Sequence, residues 1–272
     1  MFQYAAARAL SARLDKPFKL ETITSLQKDK QRGIALQATH AGFEMATAKE
    51  VKEFVFFPSL YRHRPGFFSR LGKNIYREPH FHFDKNFYHL TDPVFLDGFF
   101  QSPRYFEDIA TLIRQEFRIR EDQSMGVSKK AAEMEELPSV GVHIRRGDFL
   151  NPKTAAYHGV LDASYYANAV GLMQEKIPGS FFYIFSDDID WVKDNLSLPA
   201  GTEFVSSFTK SPIEDFFLMT KCRHNIIANS SFSWWPAWLN NNPAKIVIAP
   251  KRWFADPNID TSDLIPSEWI RL

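Results

Sequence analysis

Apolar residues follow two rhythms along this chain, and the rhythm changes near its middle. From Val140 onward, short unbroken apolar runs alternate with stretches where apolar residues return every three or four positions. The runs predict strands at Val140–Arg145, Phe181–Ser186, Glu203–Ser206, Asn225–Ala228 and Lys245–Ala249. The periodic stretches predict helices at Asp162–Lys176, Ile189–Asn195, Pro212–Arg223 and Phe232–Asn241. Strands spaced by helices imply a parallel sheet, and unbroken apolar strands imply that helices cover both of its faces.

The first half is less regular. Met1–Leu14 reads as a helix with Phe2, Ala6, Leu10 and Leu14 on one side, and Asp108–Phe117 reads as another. Short strands are predicted near Lys19–Glu21, Phe54–Phe57 and Val94–Leu96. The charged stretch Glu121–Glu136 turns helical in its latter part, and Pro138 follows it. These changes place a domain boundary near Leu137, giving an irregular part at residues 1–137 and an α/β part at 138–272. The chain enters its first helix with no strand or capping residue before it.

Composition narrows the function classes. With 33 basic against 32 acidic residues, the chain lacks the basic excess of a protein that coats nucleic acid. One cysteine, Cys222 in an apolar helical run, excludes an intrachain disulfide framework and reads as a buried thiol. No segment has the length and apolarity of a membrane span, and Arg8 and Arg13 interrupt what would otherwise be a leader, so a soluble cytoplasmic protein is expected. The stretch Tyr61–Phe83 mixes five basic residues, one acidic residue and several aromatics. It reads as a solvated loop, or as a peripheral contact with an anionic membrane.

Ligands of open α/β sheets bind outside the carboxyl ends of the strands. The first strand of the second half runs into Arg145-Arg146-Gly147-Asp148. Two guanidiniums at a strand mouth need anionic partners, and an arginine held by Asp148 presents a planar fork suited to a diphosphate. Arg146 reads equally well as the arginine in a structural pair with Asp148, and His143, on the face of Arg145, as a core histidine or a ligand contact. At the next mouth, Asp187 is the better functional candidate, while Asp188 reads as a helix cap. Asn229, Ser230, Ser231 and Phe232 open a helix whose N-terminus suits a phosphate. Trp234 and Trp235 read as packing residues of that helix, and Pro236 as a residue of its first turn. His80 and His82 do not read as a metal site, and no P-loop, H-E-x-x-H or G-x-S-x-G pattern occurs.

The segments His143-Ile144-Arg145-Arg146-Gly147-Asp148 and Ile226-Ile227-Ala228-Asn229-Ser230-Ser231-Phe232-Ser233-Trp234-Trp235 resemble glycosyltransferase family 11, the α-1,2-fucosyltransferases, of bacterial type. Met1-Phe2-Gln3-Tyr4-Ala5, Gly98-Phe99-Phe100-Gln101-Ser102, Phe185-Ser186-Asp187-Asp188 and Ala249-Pro250-Lys251-Arg252-Trp253-Phe254 extend the likeness over nearly the whole chain. The resemblance implies a GT-B-like α/β fold, with two Rossmann-like domains whose parallel sheets face a central cleft. It implies inverting transfer of L-fucose from GDP-β-L-fucose, a co-substrate, to the 2-hydroxyl of a galactose-terminated glycan, with no metal or other cofactor. Arg145 matches the arginine that related enzymes place on the β-phosphate; Asp97 and Gln101 are acceptor-side candidates. Against the family's pattern the chain begins after a strand and a Gly-rich turn, so its first domain is expected to be N-terminally incomplete. Two alternatives stand beside this expectation: an enzyme of the same fold using another nucleotide sugar, and an inactive sugar-nucleotide-binding fragment.

Overall fold

The computed structural model describes residues 1–22, 35–55 and 73–272. They form two compact units, Met1–Arg118 with Asp260–Leu264, and Ile119–Ile259 with Ile265–Leu272.

The first unit holds helices α1 (Phe2–Leu14), α2 (Ala48–Phe54) and α3 (Ala110–Glu116). Its strands form two short parallel pairs, β1 (Lys19–Leu20) with β2 (Glu44–Met45), and β3 (Ile75–Arg77) with β4 (Phe95–Asp97). Among the described residues, then, two-stranded pairs stand where a continuous first-domain sheet was expected. The strand expected from Phe54 is also corrected: Phe54 closes α2, which Thr47 and Glu50 open with a reciprocal capping box. Phe56 and Phe57 lie outside the described residues, as do residues 61–72 of the basic, aromatic stretch.

The second unit is a six-stranded, all-parallel sheet. Its strands are β5 (Ser139–Ile144), β6 (Phe181–Ser186), β7 (Glu203–Phe204), β8 (His224–Ile226), β9 (Val247–Ala249) and β10 (Ile270–Arg271), in the order β10-β9-β8-β5-β6-β7. Helices α4 (Ser128–Glu136), α5 (Pro152–His158), α6 (Ala163–Lys176), α7 (Ile189–Asn195), α8 (Pro212–Lys221) and α9 (Ser231–Leu239) accompany it. Successive side chains of a strand point to opposite faces. Val140, Val142 and Ile144 therefore pack with Tyr166, Val170 and Met173 of α6 and Val192 of α7. Tyr183 and Phe185 pack on the other face with Met134 of α4 and Leu218 of α8. Helix α4, which precedes the sequence boundary at Leu137, is thus part of the second unit's core.

Cys222 is buried in that second layer, and burial pushes its thiol well above the usual range, so it stays protonated and unreactive. Trp234 and Trp235 are almost fully buried and join Trp238 and Trp269 in one aromatic cluster, as packing residues should. Pro236 departs from its expected place. It lies inside α9, beyond the first turn, and removes the N–H that would bond Phe232 C=O. A short helix buried on tryptophans tolerates that loss, because packing rather than helix propensity holds it.

Candidate functional site: a carboxylate-braced arginine at the sheet mouth

Parallel pairing sets the site. Ile144 of β5 lies opposite Ser186 of β6, so the residues just beyond each strand, Arg145 and Asp187, meet at the carboxyl end of the sheet. Arg145 Nη1 binds Asp187 Oδ2 at 2.7 Å, and its Nη2 binds Asp148 Oδ1 at 2.5 Å. Asp187 also accepts the backbone N–H of Arg146 at 2.8 Å. A side chain held on both sides loses less rotamer freedom when it meets an anion.

Gly147 makes this brace possible. A Cβ there would lie 2.5 Å from Asp187 Oδ2, closer than atoms approach. Gly147→Ala should therefore push Asp187 off Arg145 while leaving the core intact. If the braced arginine receives a diphosphate, the expected result is a roughly tenfold weaker affinity for that diphosphate in calorimetry, about one charged hydrogen bond, with little change in melting temperature.

Arg146 is occupied differently. Its guanidinium binds Asp188 at 3.2 Å and lies 3.7 Å from the centre of the Trp191 ring. Its partner is Asp188, not Asp148. Asp188 also accepts Trp191 N–H and so caps α7. His143 is buried beside the Phe232 ring with no hydrogen-bond partner at Nδ1. Burial, with Arg145 nearby, lowers its pKa to about 3, so it is neutral at pH 7.

The third group sits where β8 meets α9. Ser230 caps the helix by accepting Phe232 N–H, and Ser231 is exposed in its first turn. Asn229 is buried and donates to the carbonyls of His158 (2.8 Å), Trp253 (3.2 Å) and Gly159 (3.4 Å). It ties two loops of this sheet end together rather than presenting its amide to solvent. The structure thus gathers His143, Arg145, Asp148, Asp187 and Phe232 around the end of β5. Asp97 and Gln101 belong to the first unit, Asp97 closing β4 in a long 3.8 Å pair with Arg77.

Sequence reasoning missed the aromatic wall beside Arg145. His158 stacks on Phe149 at 4.9 Å, with Tyr157 and Phe254 against it. The signal was Asn151-Pro152, a cap and a first-turn proline, which starts α5. Among the described residues no group of three or more His, Cys, Asp or Glu is disposed to hold a metal ion. No helix among them is long and apolar enough to cross a membrane.

The sequence profile of glycosyl transferase family 11 matches residues 67–272. An Escherichia coli O-antigen biosynthesis glycosyltransferase, WbnK, is 32% identical over the whole chain and 96% of its own length. An Escherichia coli alpha-1,2-colitosyltransferase is 30% identical over the whole chain and 94% of its own length. The human galactoside alpha-(1,2)-fucosyltransferase 1 is 30% identical over 55% of this chain and 44% of its own length.

Proposed function

Because the chain belongs to glycosyl transferase family 11, we propose that it moves L-fucose from GDP-β-L-fucose to the 2-hydroxyl of a galactoside, with inversion and without a metal, on a two-domain GT-B architecture. The observation that carries this reading is the braced Arg145 at the mouth of a parallel sheet that also opens α9. In the proposed reaction the acceptor oxygen bonds to the sugar's anomeric carbon as the bond to the β-phosphate breaks. GDP leaves with the electron pair, and the acceptor's proton is released. Charge grows on the β-phosphate, where the remaining N–H bonds of Arg145 and the positive dipole end of α9 offset it.

A second donor has specific support. The colitosyltransferase relative matches this chain from end to end, whereas the human fucosyltransferase matches about half of it. Colitose is L-fucose without its 3-hydroxyl, so the same diphosphate grip serves both. Parallel incubations of the chain and a galactoside with GDP-fucose or GDP-colitose, read by mass spectrometry and linkage analysis, distinguish them. The fucose reading predicts an α-1,2-fucosylated product. A product from GDP-colitose alone would transfer the proposal to that sugar. Tight UDP binding with no GDP binding would overturn both.

A further inference from the structure

The first unit carries a second constellation that the donor chemistry leaves unexplained. Strands β3 and β4 run parallel, and Glu78 and Gly98-Phe99-Phe100 follow directly at their carboxyl ends. The Glu78 carboxylate accepts the backbone N–H of Phe99 at 2.8 Å and that of Phe100 at 3.1 Å. The Tyr105 hydroxyl donates to it at 3.4 Å. A Cβ on Gly98 would fall 2.5 Å from Glu78 Cβ, so only glycine lets the loop close on this carboxylate. Gln3 holds the Gly98 carbonyl from α1 at 2.8 Å.

The last residue of the loop is strained. Phe100 has φ +52°, a left-handed conformation costly for a bulky side chain, yet its ring is buried against Tyr76, Phe87 and Tyr105. Between the fixed glycine and the strained phenylalanine, Phe99 projects with 61% of its surface exposed. Single exposed apolar residues are ordinary on protein surfaces. The backbone of this one is held on both sides by a carboxylate, a buried aromatic cluster and a backbone outlier, a combination that costs free energy and keeps an exposed ring at this loop. Burial raises the Glu78 carboxyl above its usual range, and the two backbone N–H groups, Tyr105 and nearby His80 pull it back. An aromatic face beside a carboxylate suits a pyranose ring, whose C–H face packs on the aromatic while its hydroxyls donate to the acid.

We propose that Phe99 and Glu78 form the subsite for the acceptor's pyranose ring, the sugar's C–H face lying on Phe99 and one ring hydroxyl donating to the Glu78 carboxylate. This rests on the glycan-acceptor reading above, so its test begins with an experiment that needs no transfer. Saturation-transfer NMR of methyl β-D-galactopyranoside with the full chain and saturating GDP should show ring-proton signals. They should disappear in Phe99→Ala and return in Phe99→Trp. Absence of signal from the unaltered chain, or equal signal from Phe99→Ala, overturns the subsite whether or not the chain transfers sugar. If instead these signals behave as expected while no sugar nucleotide supports transfer, the transferase reading fails and the subsite stands.

Where transfer is observed, Phe99→Ala should raise the acceptor KM by roughly tenfold, the contribution of one aromatic contact. Its kcat and GDP affinity should stay within about twofold, because an exposed side chain carries no core packing. Glu78→Gln should raise the same KM while its amide oxygen still accepts from the loop. A fall in GDP affinity or melting temperature in Phe99→Ala would assign the ring a structural role and overturn the proposal.

Discussion

Replacing Arg145 with alanine is expected to lower turnover by roughly 10²–10³, the usual cost of removing one preorganised donor from a developing anion. The structure adds a second consequence. Two arginines share this sheet mouth with three aspartates, Asp148, Asp187 and Asp188. Arg146 is consumed by Asp188 and Trp191. Without Arg145, Asp148 and Asp187 lose its guanidinium and would face the diphosphate of the proposed donor, so on that proposal GDP affinity should fall together with kcat. Arg145→Lys should be nearly as damaging, because one ammonium cannot reproduce a fork that contacts two carboxylates and, in the proposed reaction, a phosphate at once. Adding Asp148→Asn to Arg145→Ala should restore part of the GDP affinity, by relieving repulsion, but little of the turnover. Calorimetry with GDP and initial rates on the single and double variants separate the two effects. Near-normal turnover in Arg145→Ala would remove this residue from the mechanism.

What the sequence disclosed, and what it hid, follows from burial. The central strands of the second unit are covered on both faces, so each appeared as an unbroken apolar run, and β6 and α7 were bounded to the residue. Helix α5 was missed because it has no buried side chain and so no apolar stripe. Strand β10 was missed because two edge residues carry no period. The pairing of Asp148 with one of the two arginines was legible from spacing, but which arginine was not. That choice depends on sheet register, which sets Asp187 beside Arg145 and Asp188 beside Arg146. Glu78 was hidden for a related reason. Its meaning comes from a loop some twenty residues away, and a lone glutamate after a short strand looks like surface.

The other large effect falls on stability. Asn229→Ala removes a buried carboxamide that donates to the carbonyls of His158 and Trp253, with Gly159 at the edge of bonding distance. A carbonyl left without a donor in a buried or part-buried place costs about 1–3 kcal/mol, so a loss of roughly 2–4 kcal/mol in denaturant unfolding is expected. Asn229→Asp is the sharper test, because its volume is unchanged. An ionised carboxylate would face carbonyl oxygens in a site with little water, and only its protonated form can donate. Its folded-state pKa must then lie above the unfolded value of about 3.9. The unfolded state therefore releases the proton first as pH rises. Between about pH 4 and the folded pKa, stability falls by about 1.4 kcal/mol per pH unit. Asn229→Asp should accordingly approach the stability of the unaltered chain near pH 4 and fall well below it at pH 7. Arg145→Ala, by contrast, should unfold almost where the unaltered chain does while losing turnover. If Asn229→Asp unfolds alike at both pH values relative to the unaltered chain, its carboxylate reaches water, and Asn229 does not tie these loops as the structure places it.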